Sequence, residues 1–311
     1  MKILQFVLAT CCAMALGACN AAPATPAGLV KALHQALDKG DFDAARQLAD
    51  LDQSPADLHF FYFEMVRECA SESDCTVSEA PATDEVREKI KRQAESLGAA
   101  QLPPIDGMIL VASKSRDGSS SGTMKMPYGK VGDSYKIVSI RYSAAELAAI
   151  RAKTSESLTT EMFAEGIYDP ATRERRTDWS TAATRLPPDG GEVGKAFVKQ
   201  TAAMAAAVDA RDPDAAMRSG GQMTMIVFRD KDFDGKPIPR VDRQHKLHVQ
   251  SLRMLRDVRV EGGYQLGDDA VLLIEARDGI GWIARGPILL SRDGEFWAKA
   301  GDNMISYPAS P

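Results

Sequence analysis

The chain has 311 residues, 26% of them charged, and a formal net charge of −5 at pH 7. That length suits two domains of ordinary size, and 44% hydrophobic residues supply enough apolar surface for two cores. The mild acidity gives no support for nucleic acid or an anionic membrane surface as a partner. Beyond the N-terminal segment, no second apolar run near eighteen residues is present to span a bilayer.

The chain opens with Lys2 and an apolar stretch over residues 3–16. A basic start, an apolar run too short to span comfortably and small residues at its end mark a secretory signal peptide. Leu16-Gly17-Ala18-Cys19 then resembles the lipobox of bacterial lipoproteins. The resemblance implies a diacylglycerol on the Cys19 sulfur, removal of residues 1–18 and acylation of the new amino group. The plainer alternative is cleavage near Ala18 or Ala22 with Cys19 incidental. The position of the motif and the tract after it favour the lipoprotein. Residues 19–27 include Ala21-Ala22-Pro23-Ala24-Thr25-Pro26, which reads as an extended tether. Several acyl chains anchor stably, at about 0.8 kcal/mol per buried methylene. Asn20 stands where an aspartate would hold such a protein at the inner membrane. The resemblance therefore implies the bacterial cell envelope, at the outer membrane facing the periplasm.

A helix is expected over residues 29–37, with Leu29, Leu33 and Leu37 on one face. Asp41 follows as the N-cap of a second helix. Export leaves Cys69 and Cys75 as an even pair of thiols, and a structural disulfide is expected. A redox pair would be spaced more tightly. A zinc site would need two more ligands, and no histidine lies near in sequence. Strands are expected over 107–114, 123–128 and 134–142, the first two joined by Arg116-Asp117-Gly118. Ser143 then caps a helix over 144–164, with Glu146 three residues on. Asp169-Pro170 breaks it, Arg173 to Arg176 form a basic knot, and Pro187-Pro188-Asp189-Gly190-Gly191 marks a boundary.

The second half repeats the first. A helix is expected over 193–208, with Phe197, Thr201, Met204 and Val208 on one face. Asp212 and Pro213 then begin another. Ala36-Leu37-Asp38 through Asp43-Ala44-Ala45 lines up with Ala207-Val208-Asp209 through Asp214-Ala215-Ala216. Strands are expected over 270–276, 282–290 and 295–300, with Arg277-Asp278-Gly279 as the first turn. The order in each half is helix, aspartate-capped corner, helix, then an antiparallel meander. This resembles the nuclear-transport-factor-2-like fold, as do the closing phrases Ser134-Tyr135-Lys136-Ile137 and Glu295-Phe296-Trp297-Ala298-Lys299. The resemblance implies an α+β fold of two tandem domains, each with helices packed on a bent antiparallel sheet that encloses a pocket. The domains would span 28–143 and 190–307, joined by a helical linker over 144–189. The family hosts enzymes, binding modules and assembly domains, so the fold assigns no function.

Local chemistry is sparse. Asp230, Asp232 and Asp234, followed by Gly235, resemble the start of a calcium loop. Val241 stands where the bidentate glutamate belongs, and Arg229, Lys231 and Lys236 neutralise the carboxylates. A charged hairpin turn is the simpler reading. His245 and His248 would share a helix face but have no third ligand at a telling distance. His34 and His59 are expected to be structural, and Asp106 and Asp269 to be turn residues. Gly190 to Lys195 lacks the glycine spacing and the hydroxyl of a phosphate loop, and no Gly-x-Ser-x-Gly elbow occurs. No cofactor is expected. The preferred function is a non-enzymatic, lipid-anchored envelope protein, partnered by the membrane through its lipid and by a protein or small apolar ligand. The alternative is an enzyme with an acid–base pocket in one domain. An enzyme would place at least two ionisable groups together inside an apolar cavity.

Overall fold

The computed structural model describes residues 23–96, 103–168, 174–220 and 226–309. The signal peptide, Cys19, Asp169-Pro170 and Arg173 lie outside the described residues. The fold is mixed α+β, as expected. Helix α1 (Pro26–Lys39) begins where Thr25 Oγ1 accepts from Gly28 N, 3.1 Å away. It buries Leu29, Leu33, Ala36 and Leu37. Gly40 ends it in the left-handed region, φ +59°, where a Cβ would meet the His245 ring. Asp41 then caps α2 (Phe42–Gln47) by accepting from Ala44 N at 2.9 Å.

Strand β1 (Ala49–Asp50) leads to α3 (Ala56–Ser71), β2 (Ser73–Pro81), α4 (Asp84–Ser96), β3 (Gly107–Ser115), β4 (Ser121–Val131) and β5 (Ser134–Val138). The first sheet runs β1-β5-β4-β3-β2, antiparallel except for the parallel β1–β5 pair. The expected disulfide is formed: Cys69 at the end of α3 joins Cys75 in β2, with Cα atoms 5.5 Å apart.

The expected 144–164 helix is two helices, α5 (Ala144–Ala152) and α6 (Ser155–Glu165). Lys153 is extended, and Thr154 and Ser157 form a reciprocal capping box that starts the second helix. Ser143 caps the first as expected, accepting from Glu146 N at 3.1 Å. Next come β6 (Ile167–Tyr168), β7 (Arg175–Arg176), α7 (Trp179–Ala182) and β8 (Thr184–Leu186). Helices α8 (Gly191–Asp209), α9 (Pro213–Arg218) and α10 (Arg240–Ser251) precede β9 (Arg256–Leu266), β10 (Asp269–Arg277), β11 (Ile283–Asp293), β12 (Phe296–Asp302) and β13 (Ile305–Tyr307). The second sheet runs β12-β11-β10-β9-β8, and β13 also pairs with β11. Asp212 caps α9 by accepting from Asp214 N at 3.0 Å, with Pro213 in the first turn.

Apart from β1 and α4, which have no described counterpart in the second half, the order α1-α2-α3 followed by β2 to β5 recurs as α8-α9-α10 followed by β9 to β12. The two corners differ in burial. Leu37 is fully buried, whereas its counterpart Val208 is only half-buried against Ala207, Ala216 and Leu247. The two sheets have separate clusters of buried residues, but the first cluster reaches across Pro187-Pro188. Val249 and Leu252, from α10 and its C-terminal cap, join the core of the first sheet, and α10 packs along α3.

Candidate functional site

The site with the most suitable shape is an apolar cavity of about 330 Å³ beside the first sheet. It exists because β5 stops short of the expected residue 142. Strand β5 pairs with β4 only over Tyr128–Val131, while β3 pairs with β4 along residues 121–128. Beyond Val138 the chain turns to the segment after β1. There Arg141 pairs with Asp50, and Tyr142 N donates to Gln53 O at 3.4 Å. The gap so opened lies between Met124–Pro127 of β4 and Ile137–Ile140.

Three further walls close it. Helix α3 contributes Leu58, Phe61 and Tyr62, and α4 contributes Ile90 and Gln93. Pro103 and Ile105 come from the approach to β3. Gly129 lets that approach lie flat on β4, since a Cβ there would collide with the Pro104 carbonyl. Asp106 N donates to Tyr128 O at 2.9 Å, and Lys130 N donates to Asp106 Oδ2 at 3.1 Å. Asp106 is therefore the turn residue expected. Arg87 of α4 donates to the Ala82 and Ile105 carbonyls and holds α4 near this wall.

Tyr62 and Lys125 are the ionisable residues of the lining. Tyr62 Oη is spent on Ala45 O, 2.7 Å away, and burial pushes the phenol well above its usual range. Lys125 is exposed and makes no ion pair among the described residues. Among the described residues, the cavity thus holds no neighbouring acid and base.

No protein-family model, curated protein or solved structure matches the chain. The reading of the site rests on its residues alone.

Two polar clefts lie between the halves, and the charged groups of the first already have partners. One, of about 550 Å³, contains Tyr142, Asp278 and Lys299. Asp278 Oδ1 accepts from Ile280 N at 3.1 Å and Trp282 N at 2.9 Å; Oδ2 accepts from Ser306 Oγ at 2.6 Å. Burial pushes this carboxyl up, against those hydrogen bonds. Arg253 pairs with Asp57 at 3.1 Å, and Lys299 pairs with Asp302.

The other cleft, of about 520 Å³, contains His245 and His248, which share a face of α10 as expected. The Phe42 ring centroid lies 4.2 Å from His248 and 5.5 Å from His245. His245 Nδ1 lies 3.0 Å from Ser71 Oγ, and His248 Nε2 is buried without a partner among the described residues. Burial holds both pKa values below the ordinary histidine range. His59 is likewise buried and lowered, its ring 6.1 Å from Trp282. His34 sits 3.6 Å from Asp38.

The Asp230–Gly235 segment is a turn. Asp232 Oδ1 accepts from Asp234 N at 2.9 Å and Lys236 N at 2.8 Å, and Lys231 bridges Pro237. These backbone donors take the carboxylate that a cation would need. Among the described residues, no group of three or more His, Cys, Asp or Glu is placed to hold a metal. Asp269 Oδ1 accepts from Ser291 Oγ at 2.6 Å, and Lys195 pairs with Glu192 at 3.2 Å.

Sequence reasoning did not find the cavity. Its lining comes from segments far apart in the chain, two of which, α3 and α4, were not expected as helices. The apolar spacing of Leu58, Phe61, Tyr62 and Met65 was the available signal for α3.

Proposed function

We propose that this chain is a lipid-anchored component of the bacterial cell envelope that binds a small apolar molecule without transforming it. The observation that carries the binding reading is the apolar cavity beside the first sheet, in which Lys125 is the one exposed charge among the described lining residues and has no acid or base beside it there. Acid–base catalysis needs a positioned group within hydrogen-bond reach of the reacting atom, and Tyr62 is already engaged with a backbone carbonyl. The recurrence of three helices and four strands supports two tandem nuclear-transport-factor-2-like domains, over 28–143 and 190–307. The apolar cavity lies in the first of them. The anchor rests on Leu16-Gly17-Ala18-Cys19 and the tether after it. The expected address is the outer membrane, facing the periplasm.

The test has two arms. Fatty-acid labelling of cells should mark the wild-type protein and not Cys19→Ser; equal labelling of both would remove the anchor. Organic extraction of the purified protein should release an apolar small molecule. Its loss from a cavity-filling Met108→Trp variant that keeps the wild-type circular dichroism supports the reading. Equal recovery from both proteins would overturn it.

A further inference from the structure

We propose that the cavity takes a single-chain anionic amphiphile, a fatty carboxylate, with its alkyl chain among the methionines and its head group at Lys125. This deepens the binding reading above and rests on it. The floor of the cavity is buried and apolar, formed by Leu51, Tyr62, Met108, Met126 and Ile137. Thioether side chains are unbranched and polarisable, so they adapt to a chain with many rotamers. A volume of about 330 Å³ is at the low end for ligand sites, which suits one alkyl chain rather than two.

The floor offers a polar head nothing to bind. Tyr62 Oη is committed to Ala45 O, so a head group drawn inside would lose its hydration without compensation. The polar side chains of the lining, Gln93 and Ser139, lie outside this buried floor, so the head stays toward the mouth. There Phe61 and Met124 are exposed, at 54% and 37%, beside Lys125. Among the described residues, Lys125 is the only charged one of the lining, and no carboxylate lines the cavity. An anionic head therefore finds a free cation and no repulsion. A cationic head finds repulsion alone.

Calorimetric titration of the full chain with C8, C10 and C12 carboxylates, alcohols and alkyltrimethylammonium ions tests the assignment. Carboxylate affinity should rise about fourfold per methylene. At one chain length the carboxylate should bind about two- to fivefold more tightly than the alcohol, and about tenfold more tightly than the cation. Lys125→Glu should invert the head-group order and keep the chain-length dependence. Met124→Trp, at the mouth, should weaken every carboxylate tenfold or more while circular dichroism stays unchanged. Equal binding of alcohol and carboxylate, or an unchanged order in Lys125→Glu, would overturn the anionic ligand and leave the apolar cavity standing. Undiminished binding by Met124→Trp would place the ligand elsewhere and overturn the assignment. If no amphiphile of any head group binds, both this assignment and the cavity reading fall.

Discussion

The two sheets follow one element order and bury their faces differently. In the second, Ala270 through Ile274 are all buried, because α8 covers one face while α6 and α7 cover the other. Trp179 fills the outer layer, its ring stacked on Phe163 at 6.0 Å and buried with Ile167, Val271 and Leu289. In the first sheet, β3 and β4 alternate. Ile109, Val111 and Met126 face the helices, while Ala112 and Thr123 face water. The difference shows that the cavity does not follow from the topology. It arises where one sheet has fewer covering elements and an early end to its last strand.

The largest expected effects test that contrast on neighbouring residues. Leu289 and Leu290 occupy opposite faces of β11 and are both buried. Leu289→Ala and Leu290→Ala should each cost about 2–5 kcal/mol. On β4, Met126→Ala should cost a similar amount, while Lys125→Ala should stay within about 0.5 kcal/mol. Chemical denaturation of the four variants checks this, and a tolerant Leu289 would show that the outer layer of the second sheet is not a true core.

Removing the disulfide with Cys69→Ala and Cys75→Ala should cost about 2–3 kcal/mol, the loop-closure value for so short a bridge. Urea denaturation measures it, and no change in midpoint would mean the native state gains nothing from the bridge.

Acidification should weaken the interface between the halves. His59, His245 and His248 have folded pKa values below their ordinary value of 6.5, chiefly because of burial. The unfolded chain therefore binds protons first as pH falls. Their contribution is fully present above about pH 6.5 and is lost below it, at up to about 1.4 kcal/mol per pH unit for each histidine. Stability measured between pH 7.5 and 5.5 should show this slope. Replacing His248 with Phe, which stacks on Phe42 without titrating, should reduce it.

The smallest effects fall at the capped corners. Asp41→Ala and Asp212→Ala should each cost about 0.5–2 kcal/mol, because each carboxylate satisfies an otherwise open helix donor. A cost above that range at either position would mean its carboxylate does more than cap. Arg240 approaches both Asp212 and Asp214, so Asp212 is the position where that would arise.

The corners were legible because an aspartate cap and a following proline act over a few residues. Asp41, Asp212 and Pro213 reported them directly. The strands beside Asp-Gly turns were legible for the same reason. Strand β9 was not, since Arg256, Arg259 and Glu261 dilute the alternation of Val258 and Val260. Helix α4 was missed because Ala94 is its one fully buried residue. The cavity was out of reach because its walls are set by where β5 ends, and that depends on Arg141 meeting Asp50 from another part of the chain. The break at Thr154 was readable: Thr154-Ser155-Glu156-Ser157 carries its own capping signal.

The shared core has a consequence in time. Val249 and Leu252 close the apolar layer that α3 and the first sheet begin. A ribosome adds about 5–20 residues each second, so roughly 6–23 s pass between the synthesis of Val138 and that of Leu252. For that interval the first half holds all its own strands yet leaves the flank of α3 uncovered. Phe60, later covered by Arg253 at 3.4 Å from its ring centroid, is open to water or to a chaperone until the second half arrives. The order of synthesis thus makes the third helix of the first half the natural handle for anything that must hold this chain before it is complete.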